Sequence, residues 1–332
     1  MSEFRTIVEV KECETKISHH SGIMFLGSCF AENIGDRLVE NRFHIEINPF
    51  GIIYNPLSIA NSLDILIENK KFTENDLFFN NDQWNSFFHH SRFSNPDKQE
   101  CLNNINSRIE TANDFLKKAD YLFITIGTSW VYEYIETKMI VSNCHKIPAG
   151  EFNRLFLSTN QIIDIFSQVI QQIRDYNFKI KIIFSISPIR HLKDTAEGNM
   201  ISKATLLVSV YELNKIFGTG YFPAYEIMMD DLRDYRFYDD DKVHPSKQAI
   251  DYIWEKFANA YLEEESRAFI KEFTKIHAAV HHRPVNEKSE GYQAFLRSHL
   301  QLVEKMQKKY PGIDLSKEKA FFGRNTLQAD IH

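Results

Sequence analysis

Three short runs of apolar residues, each followed by a helical pattern, constrain the fold of this chain more than any other feature. The runs cover residues 22–27, 121–127 and 180–186, and each ends at a glycine or just before a serine. Short apolar runs of this kind are typical of strands buried on both faces, and such strands alternate with helices in parallel sheets. We therefore predict an α/β fold, a three-layer α/β/α sandwich around a parallel sheet.

Polar segments follow all three predicted strands and indicate where a site would lie. The segments are Gly-Ser-Cys at 27–29, Gly-Thr-Ser at 127–129 and Ser-Ile-Ser-Pro at 185–188. Ligands bind at the carboxyl ends of the strands in an open parallel sheet. The first segment passes into a helix with almost no loop, because apolar residues recur at helical spacing from Phe30 onward. Cys29 is therefore predicted at a helix N-terminus.

The rest of the chain is predicted to be mostly helical, with two excursions. The helical patterns cover residues 56–70, 98–118, 159–176, 200–217, 246–262, 263–280 and 288–309. Residues 131–147 predict a hairpin, and residues 71–100, rich in Asn, Asp and Phe, predict an irregular insertion. We expect one α/β domain over residues 1–262 that contains this insertion, and a helical extension over residues 263–332.

Composition and charge exclude several classes of protein. Of the 332 residues, 43% are hydrophobic and 25% are charged, which is typical of a globular chain. The net charge of -6 gives no basic excess, so nucleic acid is not an expected partner. No apolar stretch approaches the ~18 residues of a membrane span, and neither a dinucleotide nor a P-loop glycine motif occurs. Because the four cysteines form no CxxC pair or zinc spacing, we expect a cytoplasmic protein with free thiols.

Two short motifs, far apart in the chain, carry the residue types of covalent acyl transfer. Such chemistry needs a nucleophile, a base that takes its proton and a group that orients the base. Ser28 and Cys29 supply candidate nucleophiles at a helix N-terminus, where backbone amides and the helix dipole stabilise negative charge. Asp241 and His244 lie three residues apart just before a helix, so the carboxylate can stand behind the imidazole. The alternative is that the first motif is only a tight turn and the second only a capped loop.

Six further sequence blocks accompany these motifs. They are NPFGIIYNP at 48–56, HSRFS at 90–94, GTSWVY at 127–132, NCHKIP at 143–148, SPIRH at 187–191 and SKA at 202–204. Together with Gly-Ser-Cys-Phe-Ala at 27–31, they resemble the GSCFA family over about residues 20–250. That family is placed among the SGNH/GDSL-like hydrolases. The resemblance implies a flavodoxin-like parallel sheet of SGNH-hydrolase type and an ester-directed active site.

The chain departs from the usual superfamily pattern at two blocks. The first block is usually Gly-Asp-Ser with the nucleophile third, whereas here Ser28 takes the Asp position and Cys29 the nucleophile position. The third block is usually Gly-x-Asn, whereas here Gly127 keeps the glycine and Ser129 replaces the asparagine. Polysaccharide-modifying relatives carry Gly-Asn-Cys in the first block, so we favour Cys29 and keep Ser28 as the alternative. The resemblance implies oxyanion donors from the nucleophile's own amide, Gly51 and Ser129, and it implies no metal or cofactor.

A cysteine is chemically consistent with the nucleophile position. A free thiol titrates at about 8.5, and a helix N-terminus with a neighbouring imidazolium lowers that pKa toward neutrality. We expect Cys29 to form a thiolate–imidazolium pair with His244, while Asp241 fixes the imidazole tautomer. Ser28, as the alternative nucleophile, would use the same base and the same orienting carboxylate.

Further polar residues are candidates for substrate binding, with a structural role in loops as the alternative. These candidates are His90, Arg92, His145, His191 and Lys203. The pair His277 and His281 has a spacing that metal ligands use on helices. Because no third ligand is nearby in the sequence, we interpret that pair as surface.

Together these observations predict hydrolysis or transfer of a small acyl group, such as acetyl, on a carbohydrate or lipid-like acceptor through an acyl-enzyme. The expected partners are a small-molecule or glycan ester and, for a transferase, an acyl donor such as acyl-CoA. Two alternatives stay open. One is a non-catalytic ligand-binding protein, favoured by the serine at position 129; the other is a scaffold whose helices after residue 263 recruit a partner. The sequence leaves the oligomeric state open.

Overall fold

The computed structural model describes the backbone of residues 6–327 and the side chains of residues 6–323. The strands are, in chain order, β1 (Gly22–Gly27), β2 (His44–Ile47), β3 (Phe78–Asn80), β4 (Gln83–Asn85), β5 (Tyr121–Ile126), β6 (Trp130–Tyr134), β7 (Met139–Val141), β8 (Phe152–Phe156), β9 (Lys181–Ile186) and β10 (Gly220–Phe222). The helices are α1 (Cys29–Glu40), α2 (Pro56–Glu68), α3 (Lys98–Leu116), α4 (Thr159–Tyr176), α5 (Thr195–Phe217), α6 (Ala224–Glu226), α7 (Lys247–Tyr261), α8 (Glu264–Val280), α9 (Glu290–Lys309) and α10 (Ser316–Leu327).

A five-stranded sheet in the order β10-β9-β5-β1-β2 forms the centre of the fold. The three strands predicted from the apolar runs are β1, β5 and β9, and they are neighbours that pair in parallel. Their register places Gly27 opposite Thr125, and Thr125 opposite Ser185. The carboxyl ends of the three strands therefore meet at one edge, as the sequence predicts.

Helices cover both faces of this sheet because side chains alternate along each strand. Met24 and Leu26 of β1 belong to a core that α2, α3, α4 and α5 complete. Phe25 points the other way and stacks on Phe123, with ring centroids 4.7 Å apart, and Phe123 in turn meets Phe257 of α7 at 5.4 Å. The predicted α/β/α sandwich is confirmed.

Two segments of the chain, the predicted hairpin and the predicted insertion, form additions outside the five-stranded sheet. The predicted hairpin over residues 131–147 is confirmed as β6 and β7, and β8 joins it in a three-stranded antiparallel sheet. The predicted insertion over residues 71–100 contains the short β3–β4 hairpin and two short 3-10 helices. Phe87 of the insertion packs on Val141 and Phe152 of the three-stranded sheet. The two additions therefore share a core of their own.

Contacts along the chain divide it into two compact units. The first unit comprises the chain up to Cys13, Ser21–Arg37 and Ile45–Ala260. The second unit comprises Glu14–His20, Leu38–His44 and the chain from Tyr261 onward. The second unit has its own apolar core, in which Phe273, Val303 and Phe322 of α8, α9 and α10 are buried. The helices expected at 263–280 and 288–309 are confirmed as α8 and α9, whereas the domain border at residue 262 stays a prediction.

Within residues 6–327, no helix combines the length and the apolar character that a bilayer crossing requires.

Candidate active site

A tight turn carries the chain from β1 into α1. Gly27 has φ +141°, a backbone conformation that favours glycine, and a Cβ there would lie 2.1 Å from the carbonyl oxygen of Thr125. The Gly27 N–H donates to Asn48 Oδ1 at 2.8 Å, and the Ser28 N–H donates to the Thr125 carbonyl at 3.1 Å. The turn thus holds Ser28 against the sheet and makes Cys29 the first residue of α1.

The two candidate nucleophiles differ in exposure. Ser28 is 4% exposed, and its hydroxyl has no hydrogen-bond partner among the described residues. Cys29 is half-buried, and the backbone N–H groups of Cys29 and Phe30 act on its sulfur in the direction that favours the thiolate. This geometry favours Cys29 over Ser28 as an attacking group.

The ionisation of Cys29 differs from the sequence-based expectation. Burial raises the pKa of the thiol above its ordinary value, and the Glu32 carboxylate adds to that rise, while the backbone amides and Lys203 oppose it. In the described chain no hydrogen bond joins Cys29 to His244. The predicted lowering by an imidazolium is therefore absent, because the groups that act on the thiol do not include that imidazole.

Asp241 and His244 form a closely bonded pair on the loop before α7. His244 Nδ1 lies 2.6 Å from Asp241 Oδ2, and the N–H groups of Val243 and His244 donate to Oδ1 at 2.8 and 2.9 Å. These bonds, the one from the His244 amide foremost, lower the pKa of Asp241 to about 2. The carboxylate is therefore charged at neutral pH. With Nδ1 facing it, Nε2 is the ring nitrogen left for a reacting molecule.

The loop that carries this pair is held beside the end of β9. The Arg190 N–H donates to the Val243 carbonyl at 3.2 Å, and the Arg190 guanidinium donates to the Lys242 carbonyl at 3.1 Å. Since β9 and β1 end at the same edge of the sheet, the loop and Cys29 lie at one edge although no direct bond connects them.

The predicted oxyanion donors are engaged within the protein, which corrects their assigned role. The Gly51 N–H closes a turn by donating to the Asn48 carbonyl at 2.7 Å. Ser129 is fully buried; its N–H donates to Ser202 Oγ at 2.8 Å and its hydroxyl to the Ser202 carbonyl at 3.0 Å. A local turn and the contact with α5 thus use the groups that the prediction reserved for substrate. The backbone N–H groups at the start of α1 remain as candidate oxyanion donors.

Gly127 lets two aromatic side chains approach the end of β5. A Cβ at Gly127 would lie 3.0 Å from Tyr54 Cβ and 3.1 Å from His191 Nε2. The Tyr54 and His191 rings are 5.5 Å apart. Burial, and after it the charges of nearby groups with Lys203 first, lowers the pKa of His191 to about 3. His191 is therefore a neutral imidazole at this edge.

Lys203 lies inside the protein, in contrast to its predicted role in substrate binding. It is 1% exposed, and its Nζ donates to the carbonyl oxygens of Gly127 and Ser187, each at 2.7 Å. Burial lowers the pKa of Lys203 to about 7, an effect that Cys29 partly offsets. A substrate does not reach this amine in the observed conformation.

The remaining substrate-binding candidates take different positions. His90 is half-buried and lines a cavity, whereas Arg92 forms an ion pair with Glu32 of α1. His145 is buried, and its Nε2 lies 2.8 Å from the Ser86 carbonyl oxygen. Of the three, His90 faces the cavity, while Arg92 and His145 support the structure around it.

A cavity of about 420 Å³ opens beside Tyr54, whose phenol interacts electrostatically with Cys29. Its lining is mixed, with apolar side chains such as Val141 and Phe152 beside polar ones, and it is called here the polar cavity after the latter. Its polar lining consists of Tyr54, Asn55, His90, Tyr132, Ser142, Asn143, Cys144 and Lys193. The Lys193 ammonium donates to the Tyr132 hydroxyl at 3.2 Å across this lining. The sequence-based candidates include only His90, although the blocks at 48–56, 127–132 and 143–148 contain most of the others.

A second cavity, of about 310 Å³, is mainly apolar. Its lining includes Met200, Tyr225, Met228, Met229, Leu232, Tyr238 and Arg190. Because Arg190 also bonds the loop of Asp241 and His244, this cavity lies next to that loop.

Among the side chains of residues 6–323, no three His, Cys, Asp or Glu residues are grouped to hold a metal ion. His277 and His281 have their rings 4.5 Å apart, and His281 Nδ1 bonds the His277 carbonyl at 2.9 Å.

Comparisons with known proteins give two family matches. The model of the GSCFA family matches residues 22–257, and the model of the GSCFA domain protein C-terminal domain matches residues 273–327. A solved structure of a GDSL-like protein from Parabacteroides merdae is 12% identical, with a TM-score of 0.40 over 76% of this chain and 98% of that chain. A carbohydrate esterase family 3 structure from Talaromyces cellulolyticus is 10% identical, with a TM-score of 0.33 over 76% of this chain and 99% of that chain. No curated protein matches the chain.

Proposed function

This chain is a member of the GSCFA family, and from that premise we propose that it is an SGNH-type acyl-ester hydrolase or acyltransferase with Cys29 as nucleophile. The observation that carries the proposal is the position of Cys29, a half-buried thiol that begins α1 at the carboxyl edge of a parallel sheet. Ligands bind at this edge in open parallel sheets, and a helix N-terminus stabilises the negative charge that acyl transfer develops.

In the first half-reaction, the Cys29 thiolate attacks the carbonyl carbon of the ester. The bond between that carbon and the alcohol oxygen then breaks, and the leaving oxygen takes a proton from Nε2 of His244, which enters this step as the imidazolium and leaves it as the neutral imidazole. The product is a thioester on Cys29. The N–H groups of Cys29 and Phe30, which already favour negative charge on the sulfur, are the donors placed for the oxyanion.

In the second half-reaction, water or another alcohol attacks the thioester and gives its proton to His244. The bond between sulfur and the acyl carbon breaks, which restores the thiolate. If water attacks the thioester, the protein acts as a hydrolase; if an alcohol attacks it, the protein acts as a transferase. Asp241, charged at neutral pH, keeps Nδ1 protonated so that Nε2 handles the proton in both steps.

The polar cavity suits a hydroxylated acceptor such as a carbohydrate. Its lining offers phenol, amide, hydroxyl, imidazole and ammonium groups, which together both donate and accept hydrogen bonds. A site built of such groups discriminates against ligands that leave them unpaired. We therefore propose a small acyl ester of a sugar as the substrate, with the acyl carbon at Cys29 and the sugar in the cavity.

A second candidate function is ligand binding without turnover. It is favoured by the engaged N–H groups of Gly51 and Ser129, which leave fewer donors for an oxyanion than the superfamily pattern implies. The closely bonded Asp241–His244 pair favours catalysis instead, because a binding protein needs no oriented imidazole.

A trapping experiment distinguishes these possibilities. The purified protein is incubated with a chromogenic acetyl ester, and acid-quenched samples are analysed by intact-protein mass spectrometry for one added acetyl group. We expect turnover and trapping in the natural protein, in Ser28→Ala and in the control Cys13→Ala, and neither in Cys29→Ala. Loss of turnover and of the trapped acetyl group only in Ser28→Ala would identify Ser28 as the nucleophile instead. Acetylated oligosaccharide that binds without release of acetate would favour the binding protein.

A further inference from the structure

Helix α5 is apolar on the side that faces solvent as well as on the side that faces the core. Its inner side packs into the main core through residues such as Leu206 and Leu213. On its outer side, Ile201 and Val208 are each 51% exposed and Tyr211 is 62% exposed. A helix that is apolar all round is normally buried on every side, and exposed apolar patches mark interaction surfaces. The outer side of α5 therefore has the character of an interface.

The neighbouring helix α4 has a different outer side. It packs beside α5 and contributes to the same core. Its exposed positions are all polar, and they are Asn160, Gln161, Asp164, Gln168, Gln171, Gln172 and Asp175. A helix with one side in water is normally polar on that side. The apolar outer side is thus a property of α5 and not of this whole layer of helices.

The exposed residues of α5 follow one another at alternating steps of four and three positions. This is the spacing at which a helix presents a continuous seam to another helix. The seam, called here the α5 stripe, consists of the exposed residues Glu197, Ile201, Ala204, Val208, Tyr211 and Lys215. Its apolar centre therefore lies between an acidic residue at the N-terminal end and a basic residue at the C-terminal end.

The charges of the α5 stripe are complementary to those of a second copy that runs antiparallel. When two copies of α5 are related by a two-fold axis at residue 206, Glu197 lies opposite the partner's Lys215, and the symmetry repeats this pair at the other end. Lys215 contacts Glu212 of its own helix, but its side chain is 57% exposed and has room for a second carboxylate. Parallel pairing would place each charge opposite an identical one, which destabilises an interface. Charge therefore favours a second copy in the antiparallel orientation.

The apolar centre of the stripe fits the same register. Ile201 lies opposite the partner's Tyr211, and Ala204 lies opposite the partner's Val208. Each layer combines a larger side chain with a smaller one, which lets the two seams interdigitate as knobs and holes. All six positions of the stripe are therefore matched by one symmetric arrangement.

We propose that this protein forms a homodimer in which two copies of α5 pack antiparallel through the α5 stripe. The stripe is about 27 Å long, and a seam of that length covers only part of the about 800 Å² per partner that a stable interface buries. An apolar cavity of about 350 Å³, lined by Val208 and Tyr211 together with Tyr221 of β10, continues the surface beside it. The dimer should therefore dissociate at low concentration. The proposal does not depend on the proposed acyl transfer, because no residue of the stripe belongs to that site.

Sedimentation equilibrium of the full-length protein, from about 1 to 100 µM, measures this association. We expect a monomer–dimer equilibrium in the natural protein and an association at least about tenfold weaker in Val208→Glu, which places a carboxylate of each copy close to the two-fold axis. Gln168→Glu is the matched control, since it adds the same charge to the exposed side of α4. It should dimerise as the natural protein does. A natural protein that stays monomeric throughout, or a dimer that Val208→Glu leaves intact, would overturn the proposal.

Charge reversal tests the ends of the stripe. Glu197→Lys and Lys215→Glu should each weaken dimerisation by about three- to tenfold, because each creates like-charged pairs at both ends. The double variant, Glu197→Lys with Lys215→Glu, should recover the association of the natural protein to within about twofold. Single variants that associate as tightly as the natural protein would contradict the antiparallel register.

Disulfide trapping tests the register directly. Equal amounts of Ile201→Cys and Tyr211→Cys are mixed and oxidised, and the crosslinked peptides are identified by mass spectrometry, which separates them from the peptides of the four natural cysteines. We expect a disulfide between position 201 of one copy and position 211 of the other. A disulfide that joins two copies of Ile201→Cys instead would show parallel pairing and overturn the proposal.

Discussion

Cys29 and His244 reach the edge of the sheet from opposite ends of the chain, one from the turn after β1 and the other from the loop before α7. Each has its own local partners: backbone amides of α1 act on the thiol, and Asp241 orients the imidazole. No hydrogen bond joins them in the described chain, and the proposed mechanism gives them different steps, attack by the sulfur and protonation of the leaving group. Substitutions at the two positions should therefore have separable effects.

Replacing His244 with alanine is expected to lower ester turnover by roughly 10²- to 10⁴-fold, the usual contribution of a general acid–base group. The fold should persist, because the side chain is 48% exposed and leaves no core cavity. Turnover of a chromogenic acetyl ester and the melting temperature are measured together, with exposed His281→Ala as the control. Full turnover in His244→Ala would exclude this histidine from the reaction.

Replacing Asp241 with asparagine should reduce turnover less than removal of His244, because an amide oxygen can still accept from the N–H groups of Val243 and His244. The pKa of Asp241 is about 2, so the carboxylate is ionised throughout the range above pH ~4. Turnover of a chromogenic acetyl ester by Asp241→Asn, His244→Ala and the natural protein measures the difference. Turnover of Asp241→Asn equal to that of the natural protein would show that Asp241 is only a loop cap.

At the scale of elements, the turn between β1 and α1 determines which residue lies at the start of the helix, at the carboxyl edge of the sheet. The left-handed backbone of Gly27 and its contact with the Thr125 carbonyl let Ser28 turn inward and Cys29 begin the helix. A side chain at Gly27 would need a shift of backbone, since the obstructing atoms are the main chain of β5. The turn therefore determines both the local fold and the position of Cys29.

We expect Gly27→Ala to lower the free energy of unfolding by about 2–4 kcal/mol, from strain at positive φ and the collision with main-chain atoms. Gly150→Ala is the matched control, because no atom lies within 4 Å of the added Cβ. It should change stability by no more than about 0.5 kcal/mol. Urea unfolding of both variants measures the difference, and similar midpoints would show that β5 yields to the new methyl group.

The sequence predicts the elements of the main sheet better than the hydrogen bonds of the site. The apolar runs of β1, β5 and β9 are typical of strands that are buried on both faces, and the structure confirms all three strands. Helix α5, in contrast, starts at Thr195 rather than at the predicted residue 200. The engaged amides of Gly51 and Ser129 depend on partners distant in sequence, which residue type does not reveal. The sequence does not predict the burial of Lys203 either, because lysine side chains are usually exposed.

For the whole molecule, three histidines with a lowered pKa contribute to the response to acid: His89, which is buried, and His19 and His191, which are half-buried. Burial is the foremost cause that lowers the pKa of His19 to about 4, of His89 to about 3 and of His191 to about 3. Each is therefore neutral in the folded protein at a pH where the unfolded chain begins to bind protons. His89 belongs to the packed insertion, with Nδ1 3.0 Å from the Ser86 hydroxyl.

The expected consequence is a loss of stability in acid. A histidine that titrates at about 6.5 when unfolded, but lower when folded, binds protons preferentially in the unfolded state. Stability should be fully present above pH ~6.5 and decline as the pH falls toward the folded values. Melting temperatures measured between neutrality and pH ~4 should fall more gradually in His89→Gln than in the natural protein or in exposed His281→Gln. Identical slopes in all three would show that His89 is protonated without cost in the folded state.

The polar cavity and the reacting groups come from different parts of the architecture. The cavity is lined from the insertion, the three-stranded sheet and the segment after β9, whereas Cys29 begins the helix that follows β1. Under the proposed function, natural divergence in this lining would change the acceptor while the Gly-Ser-Cys turn is inherited unaltered. The same division makes the lining a suitable target for a mutant library, in which residues such as Asn143 and Lys193 are varied to redirect the proposed sugar preference while β1, β5 and β9 are left untouched.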